Sequence, residues 1–194
     1  MAAAVLENVE RRYDNTVQAI CICNGIDPFV TKPHKIFIEL VNEGDTGILF
    51  TYKVAHCVRY LSQEAFCAPP ILHLEMVRGV GDDIQHRDPN EPVWMEWGVV
   101  DSRPFLHYLQ YLTFRDLGLR HKQIQAFDAL RTSILDGRRR HQVFHYETAT
   151  NLFAHCLEME GRIGDALGFY LASQADMPRN NAANLHIRKL ANIL

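Results

Sequence analysis

The chain has 194 residues, 47% of them hydrophobic, enough to bury a substantial core and of a length suited to one domain or one array of repeats. Its 20 basic and 23 acidic residues leave a formal net charge of −3, which gives no overall field for gathering nucleic acid or anionic lipid, so any such contact has to come from a local patch. Five cysteines, Cys21, Cys23, Cys57, Cys67 and Cys156, make an odd, scattered set without a CxxC pair, which disfavours a disulfide framework and a cysteine zinc site and predicts reduced thiols.

The N-terminal MAAAVLENVERR carries charges within its first dozen residues and has no apolar core of a secretory signal. Nothing approaches the run of about 20 apolar residues that spans a bilayer. These features predict a soluble protein of the cytoplasm or nucleus with no membrane partner. From residue 2 to 20, Leu6, Val9, Tyr13, Val17 and Ile20 recur at steps of three and four, one stripe of an amphipathic helix closed by Gly25 and Pro28. In the next stretch Ile36, Ile38 and Leu40, then Ile48, Phe50, Tyr52 and Val54, alternate as in a β-hairpin. The second run continues as Leu49, Tyr52, His56, Cys57, Tyr60 and Leu61, a helical stripe longer than an ordinary strand, which favours a helical hairpin.

Pro69 and Pro70 are read as the stop of that helix. ILHLEMVRG is a short apolar element, and VGDDIQHRDPNEP holds the densest turn chemistry and the one internal boundary, dividing 1–90, a mostly helical segment, from 91–194. VWMEWGVV, with Trp94 and Trp97, reads as extended and leads into Asp101-Ser102-Arg103-Pro104, a helix start. The two tryptophans are weighed as partner anchors and read as cover for the core. Helices are expected from Pro104 to Leu117, from Lys122 to Asp136 with Gly137 as its stop, from Tyr146 to Gly161, from Ile163 to Ala175 and from Ala182 to Leu194.

Glu147–Asn180 resembles a tetratricopeptide repeat, a helix–turn–helix unit of 34 residues. Phe153 and Ala154 fall at the seventh and eighth places, Leu157 at the eleventh, Gly161 at the fifteenth, Ala166 at the twentieth, Tyr170 at the twenty-fourth, Ser173 at the twenty-seventh and Pro178 at the thirty-second. The segment before it resembles a degenerate unit anchored on Gly118, with Tyr111, Phe114, Phe127 and Leu130 in register and Gln123 where a small residue belongs. The fold class is therefore expected to be all-α, stacked antiparallel helical hairpins, with a small β-hairpin as the alternative for the N-terminal part. Gly164, Gly168 and Ala172, spaced by four, are expected to form a narrow ridge against which a neighbouring helix sits. The run from Glu91 through Ile187 also resembles, more weakly, the C-terminal helical region of large invertebrate male-abnormal-type, cGAS-like nucleotidyltransferase-fold proteins. The chain has no Gly-Ser dipeptide, and Asp82-Asp83 lie in a turn, so the resemblance implies the accessory helical part without the catalytic one.

The repeat resemblance implies a concave surface lined by the first helix of each hairpin. Its groove positions fall on Thr148, Asn151, His155 and Glu158, on Tyr108 and Arg115 in the degenerate unit, and on Lys189 in the last helix. It implies a non-enzymatic scaffold for a peptide or a partner helix. The second reading, a nucleic-acid or nucleotide-sensing module, would use Arg138, Arg139 and Arg140 as an anion clamp, with nucleic acid disfavoured because only Phe144 and Tyr146 stand near for stacking. The third is an enzyme. It is disfavoured because His56-Cys57 and His155-Cys156 are helix neighbours about 100° apart. His141 and His145, four apart with Glu147 and His155 close in sequence, are weighed as metal ligands and read as surface or inter-helix histidines because the three arginines oppose a cation. No catalytic residue, metal or cofactor is expected. Ile193 and Leu194 at the last helix predict self-association or a continuation, since a terminal repeat wants a polar outer face.

Overall fold

A computed structural model gives the fold; it describes residues 1–13, 17–21, 54–78, 96–140 and 143–191. Within these, the order is α1 (Ala2–Arg12), β1 (Gln18–Ile20), β2 (Val54–His56), β3 (Val58–Tyr60), a 3-10 turn (Ser62–Cys67), α2 (Pro70–Met76), β4 (Gly98–Val100), α3 (Ser102–Asp116), α4 (Arg120–Arg140), α5 (Tyr146–Met159), α6 (Ile163–Asp176) and α7 (Ala183–Ala191). The described chain is mostly helical. None of its helices is long and apolar enough to cross a membrane.

The C-terminal half consists of two helical hairpins, α3–α4 and α5–α6, followed by α7. Both turns close in the same way. Gly118 and Gly161 take positive φ, 67° and 73°, which a residue without Cβ reaches at no steric cost. After α3, the Leu119 amide donates to the Phe114 carbonyl and the Gly118 amide to that of Arg115; after α5, the Arg162 amide donates to the Leu157 carbonyl and the Gly161 amide to that of Glu158. This is the 6→1, 5→2 pattern of a Schellman motif, which satisfies the last carbonyls of each helix. Ala154 and Ala166 are fully buried, and so are Tyr108, Tyr111, Leu130, Leu152, Leu157 and Tyr170. Phe153 lies between Phe127 and Phe169, each at 4.8 Å between ring centroids, so the two hairpins share one aromatic layer. At the start of α7, the Asn181 carboxamide accepts from the Ala183 amide and donates to the Ser173 and Met177 carbonyls, which fixes the turn from α6.

Several expectations are corrected. The first helix stops at Arg12, and β1 follows where the apolar stripe had suggested continued helix. Val54–Tyr60 forms two short strands instead of the second half of a helical hairpin: β1 pairs with β2 in parallel and β3 with β4 antiparallel, Val58 opposite Val100. Those pairings are long-range, so the local stripe through His56, Cys57 and Tyr60 carried no information about them; residues 36–53 lie outside the described residues. Pro70 opens α2 at its first turn, where its missing amide costs nothing. Gly137 does not stop α4, which runs on to Arg140. It is buried, and a Cβ there would collide with Val143, so the glycine admits the chain as it folds back toward α5. Gly164 and Gly168 are exposed with nothing near their Cβ positions, and Ala172 is exposed too, so they are not a packing ridge. The boundary expected at VGDDIQHRDPNEP lies outside the described residues; on either side of it, Ile71, Leu72 and Met76 of α2 share a core with Phe105, Tyr108 and Leu152.

Candidate functional site

Along one side of the hairpins, α3, α5 and α7 stand in a row joined by side-chain bonds. The Tyr108 hydroxyl meets His155 Nδ1 at 2.9 Å. On the next turn of α5, Glu158 accepts from the Tyr170 hydroxyl at 2.6 Å and from Lys189 Nζ at 3.0 Å. His186, stacked on Tyr170 at 4.4 Å, brings Nδ1 to 3.6 Å from the same carboxylate. Two residues on, just past the end of α5, Glu160 accepts from the Tyr111 hydroxyl, from Gln123 and from two guanidinium nitrogens of Arg120 at 2.7 and 2.8 Å. Helix spacing of three and four residues puts His155, Glu158 and Met159 on one stripe of α5, and Arg115 reaches across to the Met159 sulfur.

The electrostatics follow from these partners. Burial pushes the Glu158 carboxyl up, yet the approach of His186 and the bonds from Tyr170 and Lys189 outweigh it and hold the group at about 2, so it is a fixed anion. Burial lowers His155 to about 4, so at neutral pH it is an uncharged imidazole. The Tyr170 hydroxyl is raised far above its ordinary value by burial and by Glu158.

Of the seven residues expected to line a groove, four share this side: Arg115 and Lys189 are exposed, and His155 and Glu158 are partly so. The other three belong to the interior. The Tyr108 ring is fully buried, and so are Thr148 and Asn151. Asn151 Nδ2 donates to Glu75 of α2 at 2.9 Å and to Asn181 at 3.1 Å; it locks α2, α5 and the α6–α7 turn together. Tyr108 lies on α3 and Thr148 and Asn151 on α5, each the first helix of its hairpin, and Glu75 of α2 and Asn181 cover Asn151. Arg138, Arg139 and Arg140 end α4 on a helix, not in a loop; their side chains lie outside the described residues. Of the His-Cys neighbours, Cys156 is fully buried with its thiol held well above its ordinary value by burial, and His155 turns to Tyr108, so they do not form a nucleophile and base. Trp97 is partly buried under Arg59, whose guanidinium carbon stands 4.4 Å from the ring centre. Trp94 lies outside the described residues.

A second constellation forms where the two small sheets meet the starts of α3 and α5. Asp101, buried, accepts from the Phe144 and His145 amides at 3.0 and 2.8 Å and lies 3.7 Å from the Cys57 sulfur. Cys21 Sγ is 3.0 Å from His145 Nε2. Cys57, Cys67 and Cys156 are free, whereas Cys21 is held in a disulfide whose other sulfur lies outside the described residues, against the expectation of reduced thiols throughout. Nothing in the sequence could have joined Cys21, Cys57, Asp101 and His145; the one faint signal, His145, had been paired with His141. Beside them opens a cleft of about 420 Å³, lined by Ala19, Asp101, Arg103, His107, Asp136 and Val143 among others.

In comparison with known proteins, the chain matches no family model, no curated protein and no solved structure.

Proposed function

We propose that the protein is a non-enzymatic interaction scaffold of tetratricopeptide-like hairpins, binding a peptide or partner helix along the side formed by α3, α5 and α7. The observation that carries this reading is the row of bonds from Tyr108 to His155 and from Glu158 to Tyr170 and Lys189, which fixes three helices side by side before any partner arrives. A pre-formed surface of this kind loses little conformational entropy on binding. Lys189 and Arg115 are two of its exposed cations; Glu158 already neutralises the first, and Arg115 spends its described bond on a thioether. The favoured partner therefore offers an acidic group toward Arg115 and apolar or amide groups between the cations.

Site-directed photocrosslinking tests this. A benzophenone side chain placed at Arg115 or Lys189 captures a discrete partner in cell extract, competed by excess unlabelled protein, whereas the same probe at Leu171, exposed on α6, captures none. Competed adducts at Leu171 and none at the other two positions would refute the assignment of the face.

A further inference from the structure

The cluster at the start of α5 has the makings of a metal site. One ligand atom each from Cys21, Cys57 and His145 lies within 4.8 Å of the others. A tetrahedral zinc ion with sulfur at about 2.3 Å and nitrogen at about 2.0–2.1 Å sets its ligand atoms roughly 3.5–3.8 Å apart, so the three atoms need only small shifts to close on a common centre. We propose that, once the Cys21 disulfide is reduced, Cys21, Cys57 and His145 bind a divalent cation of the zinc class, with Asp101 beside Cys57 at 3.7 Å.

Topology brings the set together. Parallel pairing of Ile20 with His56 makes Cys21 and Cys57 the next residues along two adjacent strands, so their sulfurs come side by side. Cys57 also separates β2 from β3, and β3 pairs with β4, which delivers Asp101 at the next position. Asp101 in turn grips the His145 backbone amide. The imidazole is oriented for ligation: Nε2 faces the Cys21 sulfur at 3.0 Å, while Nδ1 stands 3.6 Å from the Glu147 carboxylate. A carboxylate behind a histidine is the usual outer support of a zinc ligand, because it fixes the ring and makes the other nitrogen more basic. Asp101 and Glu147 thus stand on two sides of the ligand set, 3.7 Å from the Cys57 sulfur and 3.6 Å from His145 Nδ1. Cys21 and Cys57 are partly buried and His145 is buried, and the cleft lined by Asp101 and Val143 adjoins the cluster.

The chemistry balances in two steps. A dithiol supplies two electrons and two protons to the Cys21 disulfide and becomes a disulfide itself, or a phosphine supplies the two electrons while one water supplies the two protons and the oxygen of the phosphine oxide; either way two thiols are released. The cation then displaces the protons of Cys21 and Cys57 and forms two metal–sulfur bonds and one metal–nitrogen bond. The thiol–disulfide state of Cys21 would therefore gate metal affinity.

Cobalt(II) is the probe. Full-length protein reduced with a phosphine and titrated with Co²⁺ should bind one ion per chain, with a sulfur-to-metal charge-transfer band in the near ultraviolet and the intense visible bands of a tetrahedral ion. Zn²⁺ should displace both. Cys57→Ser should abolish the charge-transfer signal or weaken binding at least a hundredfold, Glu147→Gln should weaken it about ten- to a hundredfold, and Cys67→Ser, altering an exposed free thiol, should leave it unchanged. Oxidised protein should lose the signal and regain it on reduction. Absence of a tetrahedral signal in reduced wild-type protein, or an equal loss in the Cys57→Ser and Cys67→Ser variants with far-ultraviolet dichroism intact, overturns the proposal. The wild-type titration decides the matter even where a variant fails to fold.

Discussion

Replacing Asn151 with alanine separates an interior lock from a groove residue. Its side chain is fully buried and donates one bond to a carboxylate, Glu75, and one to a neutral amide, Asn181. A bond to a charged group contributes about 1.5–3 kcal/mol and a neutral one about 1 kcal/mol, and Glu75 is itself fully buried, with Arg78 at 3.4 Å as its described counter-charge. Asn151→Ala should therefore cost about 3 kcal/mol, which for a chain of this size lowers Tm by about 6–12 °C. Equilibrium urea unfolding followed by far-ultraviolet dichroism measures it, with Asn184→Ala, on the partly buried edge of α7, as a control expected to cost under about 1 kcal/mol. In a double-mutant cycle with Glu75→Gln, the pair should show a coupling of about 1 kcal/mol or more. A loss below about 1 kcal/mol with no coupling would mean that Asn151 does not join α2 to the hairpins, and the assignment of this residue to the interior would fall.

Acid titration should reveal His155. Its folded-state value of about 4 lies below the ordinary 6.5, so between those limits the unfolded chain takes up a proton that the folded chain does not. Stability should fall as pH drops from 6.5 to 4, by up to about 3 kcal/mol at 1.36 kcal/mol per pH unit, and His155→Gln should flatten the curve in that window. An unchanged slope in the variant would rule out the neutral buried imidazole. Three glycines should respond differently to alanine in chemical denaturation. Gly168→Ala, in open helical space, should stabilise by about 0.5–1 kcal/mol. Gly161→Ala, at φ 73°, should destabilise by about 1 kcal/mol, and Gly137→Ala should destabilise by about 1–3 kcal/mol through overpacking against Val143. A stabilised Gly137→Ala would show that Val143 does not cross the helix there.

Helix positions in the C-terminal half were legible from the residues. Glycine at 118 and 161 follows a helical apolar stripe, and the structure closes both turns with the same two backbone bonds; α3, α5 and α6 begin and end within two residues of where the pattern puts them. The glycine signal misled wherever its reason was not local. Gly137 looks like a helix stop but serves a contact made by Val143, and Gly164 and Gly168 look like a packing ridge but face outward. The same limit governs the sites. Repeat register puts Thr148, Asn151, His155 and Glu158 along one side of α5, but whether that side is open depends on α2 and Asn181, which arrive from distant parts of the chain to cover its first half.

Amino-acid order alone determined the helical periodicity, the two glycine turns and the run of small and aromatic residues that lets the hairpins nest, because each depends on neighbours within a few positions. Tertiary structure alone decided the strand pairing of residues 18–20 with 54–56, the interior place of Asn151 and the meeting of Cys21, Cys57, Asp101 and His145. Those depend on contacts between segments separated by 30 to 124 residues, over which no sequence period carries.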